Sequence, residues 1–297
     1  MGHSSPIITV IDTAFLVVRQ TSLSFEFFPP RSPQIAQQLR ETYQTLARLK
    51  PGYFSVTYGA GGTTRENTFE TVLGIQRETG IEAAPHLSCI GSTREEIRAL
   101  LESYQAQGIR RIVALRGDMP SGMHAMGDFH YANELVAFIR EASGGFFHIE
   151  VAAYPEVHPQ ATSYRADLLN FKRKVVAGAN GAITQYFYNA DSYFYFVEDC
   201  RRHGIDIPVV PGVMPITNYS QLARFSDMCG AEIPRWMRKR LEGFGDDLQS
   251  IRAFGIDVVT RMCEHLLQGE APGLHFYTMN RAEPTLTICR NLGLATP

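Results

Sequence analysis

The sequence predicts an α/β protein built as a single (β/α)8 TIM barrel over residues 23–297, with residues 1–22 as an N-terminal extension. Three observations point there. Apolar runs alternate with amphipathic helical stretches eight times from about residue 23 onward. The apolar runs are nearly continuous rather than alternating, as in a parallel sheet covered by helices. The chain has 297 residues, room for one barrel of roughly 250 residues. No low-complexity linker divides it, and no G-x-G-x-x-G follows the first strand, which disfavours an open dinucleotide-binding sheet.

The elements follow in order. Leu23 to Phe28 is the first strand, ended by Pro29-Pro30, since proline cannot donate to a ladder and forces its predecessor to be extended. Ile35, Leu39, Tyr43, Leu46 and Leu49 give helical spacing to 33–49. Tyr53 to Tyr58 is strand two, followed by the Gly59-Ala60-Gly61-Gly62 turn and a helix over 65–78. Strand three is Glu82 to Leu87, with a helix over 93–107. Strand four, Arg111 to Leu115, leads into Arg116-Gly117-Asp118, a longer loop from 119 to 129 and a helix over 131–142. Strand five is Phe147 to Ala153 with a helix over 164–177, and strand six is Gly181 to Tyr186 with a helix over 192–202. Ile207 to Val213 is strand seven, and helical signals follow at 219–228, 234–241 and 246–267. Leu274 to Tyr277 is strand eight, and a helix over 284–291 closes the fold.

Composition narrows the function. With 28 basic and 30 acidic residues the net charge is -2, and no dense basic run supports nucleic-acid binding. Cys89, Cys200, Cys229, Cys263 and Cys289 lie far apart without metal-ligand spacing, so no metal is expected and a reducing cytoplasm fits. No apolar run is long enough to span a membrane. Pro6 to Val18 is interrupted by Asp12 and lacks the flanks of a signal peptide.

A barrel enzyme works at the C-terminal ends of its strands, and the unusual polar residues fall there: Glu26, Thr57, Tyr58, His86, Arg116, Asp118, Tyr154, Glu156, His158, Gln185, Tyr277, Asn280 and Arg281. Glu26 is a carboxylate among phenylalanines. Burial without a partner raises a carboxyl pKa and keeps it protonated as a general acid, the expectation here; pairing with a structural Arg or Lys is the alternative. His86, after Pro85, reads by itself as a satisfied structural histidine, and the glycines at 59, 61 and 62 as a simple turn or as room for close backbone approach to a ligand. The dense aromatics from Tyr186 to Phe196 read mostly as barrel-to-helix packing. Lys172-Arg173-Lys174 reads first as a solvated helix face; the alternative, beside a strand-end pocket, is that one or two of these cations reach a phosphate. HExxH and GxSxG are absent. Lys50, Lys172, Lys174 and Lys239 are the only lysines and none lies in a predicted strand, against a Schiff-base mechanism. One acid, many neutral donors and little nucleophilic machinery suggest that a cofactor carries the reaction.

Six stretches in order carry a resemblance: Ser24-Phe25-Glu26-Phe27-Phe28-Pro29-Pro30, Val56-Thr57-Tyr58-Gly59-Ala60-Gly61-Gly62, Ala84-Pro85-His86-Leu87, Ala114-Leu115-Arg116-Gly117-Asp118, Ala153-Tyr154-Pro155-Glu156-Val157-His158-Pro159 and His275-Phe276-Tyr277-Thr278-Met279-Asn280-Arg281. Together they resemble the 5,10-methylenetetrahydrofolate reductases, in their short bacterial form, from about residue 23 to the end. The resemblance implies a (β/α)8 barrel holding FAD, a homo-oligomer, and a ping-pong relay. In that relay NADH or NADPH gives hydride to the flavin. Methylenetetrahydrofolate then takes it at the methylene carbon once the leaving nitrogen has been protonated. It makes Glu26 the general acid and Asp118 the carboxylate that tunes the flavin and helps bind folate. Implied FAD contacts are Thr57, His86, Arg116, Gly117, Asp118, Tyr131, Ala132, Ala152, Tyr154, His158, Asp167, Asn170, Arg173 and Lys174. The implied nicotinamide and folate surface is Glu26, Asp118, Gln185, Gln221, Phe225, Tyr277 and Arg281. Residues 1–22 match no family pattern, and the 120–130 loop is unusual in length and composition.

Overall fold

A computed structural model describes residues 21–58, 62–118 and 127–295. Most of the expected extension, the Gly59 to Gly61 part of the glycine turn, and the loop through residue 126 lie outside these. The strands are β1 (Ser22–Phe27), β2 (Tyr53–Val56), β3 (Ala83–Ser88), β4 (Arg111–Leu115), β5 (His148–Ala153), β6 (Gly181–Thr184), β7 (Val209–Val210), β8 (Gly212–Val213) and β9 (Gly273–Tyr277). The helices are α1 (Pro33–Ala47), α2 (Gly62–Thr79), α3 (Arg94–Ala106), α4 (Ala132–Ser143), α5 (Tyr164–Val176), α6 (Ala190–Arg202), α7 (Tyr219–Cys229), α8 (Arg235–Phe244), α9 (Leu248–Gln268) and α10 (Ala282–Asn291). The predicted barrel and its helices are all present.

Helix starts are set locally by side chains that satisfy orphan N–H groups. Ser32 accepts from Ile35 N with Pro33 next to it. Thr93 and Glu96 form a reciprocal capping box. Ser163, Asn189, Asn218 and Asp247 cap α5, α6, α7 and α9.

All strand pairs are parallel, in the order β7-β6-β5-β4-β3-β2-β1-β9-β8. The expected strand seven is two dipeptides rather than one run, because Pro208 and Pro211 lack the donors a continuous ladder needs. Val209 and Val210 pair with β6, while Gly212 and Val213 pair with β9. His275 N donates to Pro211 O at 3.0 Å, so the ring closes across the interruption. A Cβ on Gly212 would overlap Thr184 O and lie 2.6 Å from the Tyr277 ring, so the closure depends on glycine there.

The strand period of two sorts β1 into faces. Phe25 and Phe27 point outward and are fully buried with Phe54 and Phe276. Phe25 and Phe27 lie 6.1 and 5.4 Å from Phe54, centroid to centroid. Each such ring contributes about 2–3 kcal/mol of burial to holding helices on the sheet. Ser24 and Glu26 point the other way, into the barrel.

Candidate active site

A cavity of about 690 Å³ opens over the C-terminal ends of the strands. Its walls include the apolar side chains of Val113, Leu115, Ala152, Ile183 and Met214, and the aromatics Tyr58, Tyr154, Phe225 and Tyr277. Polar groups enter from Glu26, Thr57, Arg65, His86, Asp118 and Gln185.

Glu26 is held from behind. Thr278 Oγ1 donates to its carbonyl at 2.6 Å. Two residues on, Asn280 pairs with Phe28 through both amide atoms, at 2.8 and 3.0 Å, standing in for a strand where Pro29 ends the ladder. Met279 and Asn280 adopt left-handed backbone (φ 53 and 57) to make that reach.

The carboxylate does not sit among phenylalanines, as its sequence neighbours imply. It faces two histidines on adjacent strands: His86 Nε2 lies 3.3 Å and His275 Nε2 3.5 Å from Glu26 Oε2. Neither nitrogen has a hydrogen-bond partner at shorter range among the described residues. His275 is fully buried, and its Nδ1 is 2.7 Å from Ser24 Oγ. Burial pushes the Glu26 pKa up, but the facing charge of His86 and hydrogen bonds from both histidines outweigh it and bring the pKa down to about 2. The expected raised pKa is therefore corrected: Glu26 rests as a carboxylate. The reason is geometric. Phe25 and Phe27 belong to the opposite face of the strand, and the true neighbours come from β3 and β9.

Of the residues singled out in the sequence, Glu26, Thr57, His86, Gly117, Asp118, Ala152, Tyr154, Gln185, Phe225 and Tyr277 line this cavity. Tyr277 reaches across the barrel, its hydroxyl donating to Thr184 O at 2.7 Å. Burial raises the pKa of Tyr154 to about 12 and that of Tyr277 further still, so both are neutral donors near neutral pH. A second group stands on the shoulder formed by the β5 loop and α5. His158 N donates to Asp167 at 2.7 Å, Gln160 N donates to His158 Nδ1 at 3.0 Å, and Arg116 binds Gln160 Oε1 at 2.6 Å. Asn170 accepts from Arg173 at 2.6 Å, and Lys174 donates to Ala152 O. Burial lowers the Lys174 pKa to about 8, with Asp167 opposing. Tyr131 and Ala132 begin α4, with Tyr131 exposed, and Gln221 and Arg281 lie outside the cavity lining.

The sequence reading missed His275 as a site residue, although it lies two positions before Tyr277 and so on the same strand face. It also missed Arg65, which lines the cavity, sits over the Tyr58 ring at 5.6 Å and donates to Ser92 Oγ at 2.8 Å. Nothing in the local sequence separates Arg65 from an ordinary helix-surface arginine.

The family model described as Methylenetetrahydrofolate reductase matches residues 13–293. The chain is 46% identical to the 5,10-methylenetetrahydrofolate reductase of Salmonella typhimurium over 93% of this chain and 92% of that one. Identity and coverage are the same for the enzyme of that name from Escherichia coli. An Arabidopsis thaliana protein, methylenetetrahydrofolate reductase (NADH) 1, is 38% identical over 93% of this chain and 49% of its own length. A solved Clostridium thermocellum protein, described as binding two copies of 5-methyl-5,6,7,8-tetrahydrofolic acid, shares the fold. Its TM-score is 0.64, with 16% identity over 93% of this chain and 95% of that one.

Proposed function

The chain belongs to the methylenetetrahydrofolate reductase family, and from that premise we propose that it reduces 5,10-methylenetetrahydrofolate to 5-methyltetrahydrofolate with NADH or NADPH as donor and FAD as resident cofactor. The observation that carries the proposal is the Glu26–His86–His275 cluster on one wall of a mostly apolar cavity.

The residues present fit FAD. Val113, Leu115, Ala152, Ile183 and Met214 offer an apolar lining for a tricyclic ring, with Thr57, His86, Asp118 and Tyr154 bringing polar atoms into the same cavity. Gly117, at φ 84, brings the β4 loop against Ser88, where a side chain would collide. Lys174 is a buried ammonium whose hydrogen-bond partner is a neutral carbonyl, a costly arrangement that a diphosphate would relieve. Arg116, His158, Asp167, Asn170 and Arg173 continue the same shoulder, with Tyr131 and Ala132 at the start of α4. Bound there, FAD would supply reversible two-electron hydride chemistry.

The chain's own residues supply the proton and the fit. Reduction at the methylene carbon needs an electrophilic iminium, formed when the leaving nitrogen of the five-membered ring is protonated. With Glu26 resting as a carboxylate, the proton for the substrate has to reach it through the facing imidazoles. Glu26 Oε2 first takes the proton from the facing imidazole, and the carboxyl so formed passes that same proton to the substrate nitrogen. The general acid is thus the three-residue cluster, with Glu26 as its delivering end. Asp118 and Gln185 offer polar contacts to a pterin, and Phe225 and Tyr277 offer faces on which a nicotinamide and a pterin rest in turn. Gln221 and Arg281 stand farther out, where the rest of either ligand would pass.

The test is direct. The purified protein, yellow with FAD, should bleach when NADH or NADPH is added without oxygen and regain its colour with methylenetetrahydrofolate. A colourless protein that takes up no added FAD overturns the proposal.

A further inference from the structure

Glu156 has no part in the chemistry above, yet it is placed with unusual care. It sits in the turn after β5 that also carries Tyr154 and His158, whose rings meet edge to face at 4.5 Å. Its Oε2 accepts from Glu232 N at 2.7 Å, just beyond the end of α7. Its Oε1 is buried with no partner among the described residues. The next residue, Val157, holds left-handed backbone (φ 79), an expensive conformation for a β-branched side chain. From the other side, Gly230 ends α7 at φ 74, so close to this turn that a Cβ would stand 2.9 Å from Pro159 Cγ. The end of α7 and the β5 turn are thus pressed together at two points. The last turns of α7 are also tied to the segment after β6: Tyr186 Oη lies 3.2 Å from Ser226 Oγ and 3.3 Å from Cys229 Sγ.

We propose that Glu156 is a positioning residue that clamps the C-terminal end of α7 to the β5 turn, fixing Phe225, Met228 and Cys229 against the face built by Tyr154 and His158. This rests on the function proposed above, because that reading makes one wall the cofactor side and the other the side that nicotinamide and folate share. The clamp spans both. Burial raises the Glu156 pKa to about 7, with the Glu232 N–H opposing and the Glu232 charge adding. A carboxyl kept at this cost, in a turn kept at a further cost, marks a contact retained for its geometry.

The test compares Glu156→Ala and Glu156→Gln with the wild-type holoenzyme. Glu156→Ala should raise KM for both the nicotinamide and the folate about tenfold with kcat less affected, and FAD affinity should stay within about twofold. Glu156→Gln, which keeps an acceptor for Glu232 N, should recover most of that loss. Hydrogen exchange gives a readout independent of turnover: amides of 219–229 should exchange faster in Glu156→Ala, while those of α5 should not. Should Glu156→Ala fail to fold, Gly230→Ala displaces the same helix end and should give the same pattern. Unchanged α7 exchange and unchanged KM values overturn the clamp, as does a parallel loss of FAD affinity. If the wild type turns over neither substrate, the functional reading fails while the exchange result still decides the clamp.

Discussion

Among the described residues the barrel carries a charged cluster at each end, and the two are built on opposite terms. At the N-terminal end Arg111 pairs with Glu82 at 2.9 Å and Glu150 at 2.7 Å, and His148 adds a contact to Glu150 at 3.0 Å. The guanidinium lies 4.4 Å above the Tyr53 ring, and Gly181 leaves the space that the Glu150 carboxylate fills. Burial lowers the Arg111 pKa, yet the two glutamates outweigh it and hold the pKa raised. At the C-terminal end Glu26 has two histidines within 3.5 Å, and both nitrogens are left without another partner. The lower charges answer one another, with only Glu150 Oε2 left over beside Gly181 and away from the cavity; the upper ones keep capacity in reserve beneath it. Buried charge alone therefore does not mark a site. Unspent hydrogen-bonding capacity facing a cavity does.

The largest effect that would test this contrast is on chemistry. Glu26→Gln should cut reoxidation of the reduced enzyme by methylenetetrahydrofolate by on the order of 10³-fold, leaving reduction by the nicotinamide within a few fold. Stopped-flow absorbance separates the two halves, and equal loss in both would make the upper cluster structural like the lower one. Next comes Arg111→Met, which strands the buried Glu150 carboxylate and the half-buried Glu82, and should cost about 3 kcal/mol in denaturant unfolding, with turnover per folded molecule unchanged. A drop in turnover at full folding would mean that the ends communicate, a result Tyr53 makes worth seeking. Its ring stacks on His275 at 6.2 Å and lies under Arg111, linking the clusters by contact.

A smaller effect is expected of Lys174→Met, which should stabilise the apoprotein by about 2 kcal/mol at pH 7 while weakening FAD binding. The sign follows from the lysine's folded pKa near 8: the wild-type apoprotein should gain stability as pH rises from about 8 toward 10.5. Differential melting with and without FAD checks both arms. Smallest is Glu156. Its folded pKa near 7 lies above the ordinary 4.5, so its contribution favours folding below about pH 4.5 and is lost as pH rises to 7. After allowance for solvent screening the change is of order 1 kcal/mol, and Glu156→Gln should flatten that part of the stability profile.

Much of the architecture was legible because parallel strands and their covering helices write long, regular apolar patterns. Strand seven was the exception, where two prolines and Gly212 replaced the ladder with a closure that only three dimensions reveal. The candidate site was legible as a set of positions, since strand ends converge in a barrel. Its electrostatics were not. A strand's sequence neighbours point away from one another, so Phe25 and Phe27 misrepresented the surroundings of Glu26. His86 and His275 reach it from strands 60 and 249 residues away. The contact between Glu156 and Glu232 N is 76 residues apart and uses a backbone donor, which no side-chain pattern announces.

The pairing of β1 with β9 has a consequence for how the molecule comes into being. Ser24 and His275 are 251 positions apart, so a ribosome releases β1 long before its second neighbour exists. Throughout that interval one edge of β1 has no strand to close on, and Glu26 lacks one of its two histidines. Such an open edge is the part of a nascent barrel most exposed to mispairing with another chain. Closure through Gly212, Val213 and β9 is then a late event, with the Glu26–His86–His275 cluster among the last parts of the protein to be assembled. Substitutions at the Pro211–Gly212 seam should therefore lower the yield of soluble protein more than they lower the stability of molecules that have closed.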